Sequence, residues 1–198
     1  MHNKSAIFCL MIGTVLINLA LFFSYANWRE SKEAGQQSDK IMEVIKLDGE
    51  MDISMEEYDS NHKEELGREM MTRNIDGNEY VGYLSIPELD LELPVMSQWD
   101  YSKLKIAPCR QFGATYTGNL VIAAHNYKKH FGRFQELEVG DEVDFTDMLE
   151  VQNKYQVVRI DIVEATDVDM VLKSAYELVL YTCTKGGKNR VVVYAQSV

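Results

Sequence analysis

Apolar residues recur along this chain in three successive rhythms. From Ala6 to Phe23 they form one uninterrupted run, AIFCLMIGTVLINLALFF, with no charged residue. As a helix these eighteen residues rise roughly 27 Å, close to the ~30 Å hydrocarbon core of a bilayer. Between Arg29 and Glu79 apolar positions thin out, and Ile41, Val44, Ile45 and later Leu66 and Met70 fall near helical spacing. From Tyr80 the rhythm shortens to period two. Strands are expected over Tyr80–Ile86, Leu89–Val95, Asn119–His125, Glu142–Phe145, Tyr155–Val163, Glu177–Cys183 and Arg190–Gln196. Short strands separated by turn residues predict a mainly β sandwich or barrel. Short helices are expected over Tyr101–Ile106, Phe134–Leu137 and Val168–Ser174.

These rhythms divide the chain into three parts: an N-terminal signal-anchor or transmembrane segment (1–28), an acidic, partly helical stalk (29–79) and a β domain (80–198). Lys4 precedes the apolar run, while Tyr25 and Trp28 follow it, where amphipathic rings favour the headgroup level. Reading Lys4 as the cytoplasmic anchor places everything after Trp28 outside. Ser24-Tyr25-Ala26 offers a small-x-small cleavage site, but the run exceeds the ~7–15 residues of a cleaved signal. A retained anchor is therefore expected, and both readings export the rest of the chain. The bland third reading, a buried core helix, fits poorly at the extreme N-terminus before a polar segment. The stalk is expected to act as a spacer, with a helix packed on the domain as the alternative.

Charge and cysteine content narrow the function. The net charge is −11, from 31 acidic and 20 basic side chains, which argues against a nucleic-acid partner. The stalk carries 15 acidic against seven basic residues, so the acidity belongs mainly to the spacer. Three cysteines are too few for a disulfide scaffold, and no cluster has zinc-ligand spacing, so neither metal nor cofactor is implied.

Three polar residues lie at strand ends in the β domain: His125, Cys183 and Arg190. Lys185-Gly186-Gly187-Lys188-Asn189 is turn material, so a hairpin would bring Cys183 and Arg190 to one end of the sheet. Alternation puts Val179, Tyr181 and Cys183 on one face, and Leu178, Leu180 and Thr182 on the other. A thiol, an imidazole and a guanidinium form a minimal set for acyl transfer: nucleophile, general acid/base and oxyanion partner. From spacing alone they could equally be ordinary strand-end residues. A Cys109–Cys183 disulfide is a rival reading in an exported chain. His130, in Lys128-Lys129-His130, reads as a solvated loop residue, and Trp99 and Tyr116 could line either a core or a groove.

The run Leu180-Tyr181-Thr182-Cys183, with Arg190 opening the next strand, resembles the signature of the sortase family, Val179 standing where that family often has threonine. Gly118-Asn119-Leu120-Val121-Ile122-Ala123-Ala124-His125-Asn126 is similar to the sortase strand ending in its histidine, with Ala124 in place of a frequent glycine. Tyr83-Leu84-Ser85-Ile86-Pro87, Leu93-Pro94-Val95 and Val139-Gly140-Asp141-Glu142-Val143 resemble further sortase segments in the same order.

The resemblance implies a closed β-barrel of seven to eight strands on the Gram-positive cell surface, held by a single membrane pass. It implies a cysteine transpeptidase with Cys183 as nucleophile, His125 as general acid/base, Arg190 at the oxyanion and Thr182 near the substrate. Partners would be surface proteins with an LPxTG-like C-terminal sorting signal and an amine acceptor, either a cell-wall precursor or a pilin lysine. No Asp-Pro-aromatic tripeptide precedes Tyr80, which favours an anchoring enzyme of class B or D over a pilin polymerase. A calcium site among Glu164, Asp167 and Asp169 is a further possibility of the family. Rival readings are a different extracellular Cys/His acyl-transfer enzyme and a non-catalytic β-barrel binding module. The first lacks its motifs, since neither a Ser-x-Gly-Cys run nor an early helical nucleophile occurs.

Overall fold

The computed structural model describes residues 2–49, 70–167, 171 and 174–198. A single helix, α1 (His2–Gly49), runs through the expected boundary between anchor and stalk without a break. No helix breaker interrupts it, since all three prolines (Pro87, Pro94 and Pro108) lie beyond it. Its apolar N-terminal half lies free of the rest of the chain and is long and apolar enough to cross a membrane.

The second half of α1 is not a spacer. Ala34, Ser38, Ile41, Met42 and Ile45 are buried, at the spacing of one helical face. They cover the outside of the β domain, where Ile41, Met42 and Ile45 join a cluster with Tyr80, Met96, Leu104, Cys109 and Tyr181. Gly35 marks the closest approach: a Cβ there would lie 2.9 Å from the Lys129 side chain. Charged residues of both signs, among them Glu33, Lys40 and Glu43, fill the opposite, solvated face, which is why composition alone suggested a stalk. The Leu66 part of the expected stalk lies outside the described residues.

The β domain contains, among the described residues, β1 (Arg73–Ile75), β2 (Asn78–Ile86), β3 (Leu91–Met96), β4 (Cys109–Phe112), β5 (Leu120–Ala123), β6 (Glu142–Asp147), β7 (Gln152–Glu164), β8 (Leu178–Cys183) and β9 (Asn189–Ser197). Their order is β1-β2-β3-β4-β5-β8-β9-β7-β6, and β6 pairs back onto β2. The eight strands β2–β9 therefore close a barrel, leaving β1 as a hairpin extension of β2. Closure brings β6 against Gly82, whose φ is +155° and where a Cβ would lie 2.2 Å from the Thr146 carbonyl oxygen. Only glycine fits that contact.

Seven of these strands coincide with the expected ones. β1 and β4 were not expected because three or four residues carry too little alternation to register. The β1–β2 hairpin turns at Asp76-Gly77, with φ +50° and +80°, a two-residue turn with both centres left-handed. The short helices are 3₁₀ turns at Lys103–Lys105 and Phe131–Glu136, within or beside the expected positions. Most of the third, at 168–174, lies outside the described residues.

Inward-facing Leu178, Leu180, Val191, Val193, Leu120, Ile122, Phe131 and Phe145 fill the barrel. Outward-facing Val179, Tyr181, Val192, Val121 and Ala123 form the layer shared with α1. The alternation expected for β8 is observed.

His130 corrects the reading of it as a solvated residue: it is fully buried. Helix α1 covers the loop that carries it, with the Ser38 hydroxyl 3.3 Å from His130 Nε2. Burial, with His125 adding to it, pushes its pKa down to about 4, although the Ala34 backbone raises it slightly. The unfolded chain therefore takes up this proton at a higher pH than the folded one. Stability present above pH 6.5 should fall as the pH drops toward 4, by roughly 3 kcal/mol for this group. Urea denaturation of the full chain in detergent at several pH values checks this, and His130→Gln should lose that part of the acid dependence.

Candidate active site

The site is assembled from three strand ends. In the β8–β9 hairpin Cys183 pairs directly with Arg190, as the sequence implied. Their loop is fastened at its base: the Thr184 N–H donates to the Asn189 carbonyl at 2.9 Å, and the Asn189 N–H donates to Thr184 Oγ1 at 3.1 Å. Gly186 and Gly187 take φ of +90° and +74°, so the two glycines make the tight return possible. Arg190 Nη1 donates to the carbonyls of Gly187 at 3.0 Å and Asn189 at 3.1 Å. This holds the guanidinium across the loop beside Cys183.

His125 arrives by a non-local route. Strand β5 runs parallel to β8 with Ala123 opposite Tyr181, so the chain two residues on sets His125 opposite Cys183. The Ala124 N–H donates to the Tyr181 carbonyl at 3.2 Å. The Thr182 hydroxyl donates to the Ala124 carbonyl at 2.8 Å, and Asn126 Nδ2 donates to the Thr184 carbonyl at 3.3 Å. These three bonds fasten the histidine strand to the cysteine strand.

Thr182 is buried, and its hydroxyl is engaged in that fastening. Thr182→Val should leave the Ala124 carbonyl unpartnered and cost about 1–3 kcal/mol of stability. Denaturation midpoints of the two proteins check this.

The His125 ring is half-buried between two tyrosines, edge-on to Tyr101 at 5.6 Å and tilted over Tyr127 at 4.9 Å. Partial burial lowers its pKa, the Glu30 carboxylate raises it again, and Lys105 opposes Glu30. The net direction is downward, which favours neutral imidazole at pH 7. Glu30 belongs to α1; it pairs with Lys105 at 3.3 Å and accepts a hydrogen bond from the Tyr127 hydroxyl.

A cleft of about 800 Å³ joins these groups. Cys183, His125 and Arg190 line it together with Trp99, Gln111 and Asn27 of α1. Asn27 and Glu30 were not expected from the sequence, because they lie between an apolar run and a charged one with no motif around them. Trp99 is half-exposed and borders both this cleft and a second one lined by Phe112 and Tyr116. Both aromatics left open by the sequence therefore face grooves.

All three cysteines are free thiols, so the Cys109–Cys183 disulfide does not form. Cys109 is fully buried at the start of β4. Glu164 ends β7 and Asp167 follows in the next turn, while Asp169 lies outside the described residues. Among the described residues no three His, Cys, Asp or Glu side chains gather to hold a metal ion.

Residues 84–198 match the sequence model of the sortase domain family. No curated protein matches the sequence. Among solved structures, the chain is similar to a Clostridium perfringens Sortase D5 transpeptidase, at 19% identity and a TM-score of 0.58 over 84% of this chain and 99% of that one. It is also similar to sortase C1 from Streptococcus agalactiae, at 23% identity and a TM-score of 0.55 over 63% and 70%. A third is Clostridium perfringens sortase C with the C-terminal cell wall sorting motif, at 23% identity and a TM-score of 0.54 over 63% and 74%. At these identities the likeness shows a shared fold.

Proposed function

The chain belongs to the sortase family, and from that premise we propose that it is a membrane-anchored cysteine transpeptidase acting on an LPxTG-like sorting signal at the Gram-positive cell surface. The observation that carries this reading is the convergence of Cys183, His125 and Arg190 in one cleft.

The Cys183 sulfur attacks the carbonyl carbon of the threonine in the Thr–Gly bond, and the thiol proton passes to the neutral His125 imidazole. The carbonyl oxygen gains negative charge, which the Arg190 guanidinium stabilises. Collapse of this intermediate breaks the C–N bond. His125 returns its proton to the departing glycine amine, leaving a thioacyl enzyme. An acceptor amine then attacks the thioester. His125 takes the amine's proton, the C–S bond breaks to release an amide, and His125 passes that proton to the departing sulfur, restoring the Cys183 thiol and the neutral imidazole. Thr182 fastens the two strand ends through its hydroxyl and also lines the cleft that takes the sorting signal.

An anchoring enzyme of class B or D, with a cell-wall precursor amine as acceptor, is favoured over a pilin polymerase by the missing Asp-Pro-aromatic tripeptide. The test is incubation of the full chain in detergent with LPxTG-, NPxTN- and LPxTA-type peptides plus either a cross-bridge amine or a pilin domain bearing its lysine. Mass spectrometry should show cleavage after threonine and a new amide with the cross-bridge amine. Absence of cleavage with every peptide would overturn the transpeptidase reading, while joining to the pilin lysine alone would make the enzyme a polymerase.

A further inference from the structure

Helix α1 carries both the candidate membrane span and the wall of the catalytic cleft, and nothing interrupts it between them. The uncharged run ends in hydrocarbon-compatible residues at Phe23, and Asn27 already lines the cleft. Four helical residues rise only about 6 Å, comparable to the ~5–7 Å headgroup layer on one side of a bilayer. Tyr25 and Trp28 occupy this interval, both exposed, where such rings anchor a helix at the interface.

The domain is fixed along the helix beyond that point by a ladder of contacts. Glu30 pairs with Lys105, Gly35 packs on Lys129, and Ser38 donates to the Ile106 carbonyl at 3.1 Å. Lys46 pairs with Glu92. From Glu30 to Lys46 the ladder is roughly 24 Å long, and the cleft sits at its membrane-facing end. Within the connecting turn, Arg29 pairs with Glu33 at 3.3 Å and Lys32 lies over the Trp28 ring at 5.4 Å. The connection is therefore ordinary reinforced helix, with no residue that would act as a hinge.

We propose that α1 is a rigid ruler that holds the Cys183 cleft at headgroup height, so that the distance between scissile bond and bilayer selects the substrate. This rests on the membrane-anchored transpeptidase reading. The partner is a polypeptide tethered in the same bilayer, whose scissile bond lies only a few residues outside its own apolar segment. An extended chain covers about 3.4 Å per residue, so a bond nearer than this is buried among headgroups. A bond farther away must fold back, and its effective concentration falls roughly as the −3/2 power of tether length.

The test places the full chain in liposomes with sorting-motif substrates tethered by spacers of about two to about twenty residues. A second enzyme carries seven helix-forming residues (Ala-Glu-Ala-Ala-Lys-Glu-Ala) between Phe23 and Ser24. This raises the cleft by about 10 Å while nearly preserving helical phase. The parent should prefer short spacers. The lengthened enzyme should lose about tenfold on the shortest of them, with its optimum displaced by about three residues.

Turnover of an untethered peptide in detergent should be equal for both enzymes. Failure of the parent on that peptide would overturn the transpeptidase reading. Normal turnover with identical spacer profiles would overturn the ruler. Quenching by headgroup-proximal brominated lipid of Trp99, left as the only tryptophan by Trp28→Phe, reads cleft height independently of activity and of the insertion. Strong quenching is expected, and none would overturn the ruler.

Discussion

Cys183→Ala is expected to reduce transpeptidation roughly 10⁴-fold or more, the scale on which loss of a covalent nucleophile acts. On the proposed mechanism the Cys183 sulfur accepts the acyl group, so its loss also removes the thioacyl adduct expected in intact-mass spectrometry. Cys109 supplies the internal control. It is fully buried beneath α1, and burial, the largest of its influences, pushes its thiol up to about 11. A buried thiol that resists ionisation is a poor nucleophile, so Cys109→Ala should keep both turnover and the adduct. Adduct formation by the Cys183→Ala protein would show that another group carries the acyl chain. Unchanged turnover would return the domain to the non-catalytic binding reading.

Arg190→Lys should lower kcat by about 10²–10³-fold, the usual effect of removing an oxyanion donor, although charge is conserved. One guanidinium nitrogen already spans the Gly187 and Asn189 carbonyls, while Nε and Nη2 make no hydrogen bond to any described residue. The planar fork can therefore be held by the loop and still present donors to the substrate. An ammonium on a flexible stem has one nitrogen for both tasks. Because the interaction matures as charge develops on the carbonyl oxygen, KM should change much less than kcat. Steady-state kinetics with a fluorogenic sorting peptide check this, and near-parental kcat would remove Arg190 from the transition state.

Much of this site was legible before any fold was known. The pairing of Cys183 with Arg190 needs only a hairpin and two glycines, all within one short stretch of chain. The parity of β8, which separates Thr182 from Cys183, follows from period-two alternation. The same logic reached His125 as a strand-end residue but could not place it, because its partner strand lies about sixty residues away. His130 illustrates the opposite failure. Preceded by two lysines it reads as solvated, yet a helix some ninety residues earlier covers it.

The sequence by itself determined the apolar span, the β alternation and the local hairpin that aligns thiol and guanidinium. Each of these is written in neighbouring residues, through period and turn chemistry. Only the tertiary structure decided that β5 lies parallel to β8, that α1 leaves the span to clamp the barrel, that Asn27 reaches the Cys183 cleft and that the Glu30 charge acts on His125. Those outcomes depend on which distant apolar faces fit together and what they bury. The charged residues of α1, of both signs, record its solvated face, while the docking face consists of six small or apolar positions that gain meaning only against the surface they cover.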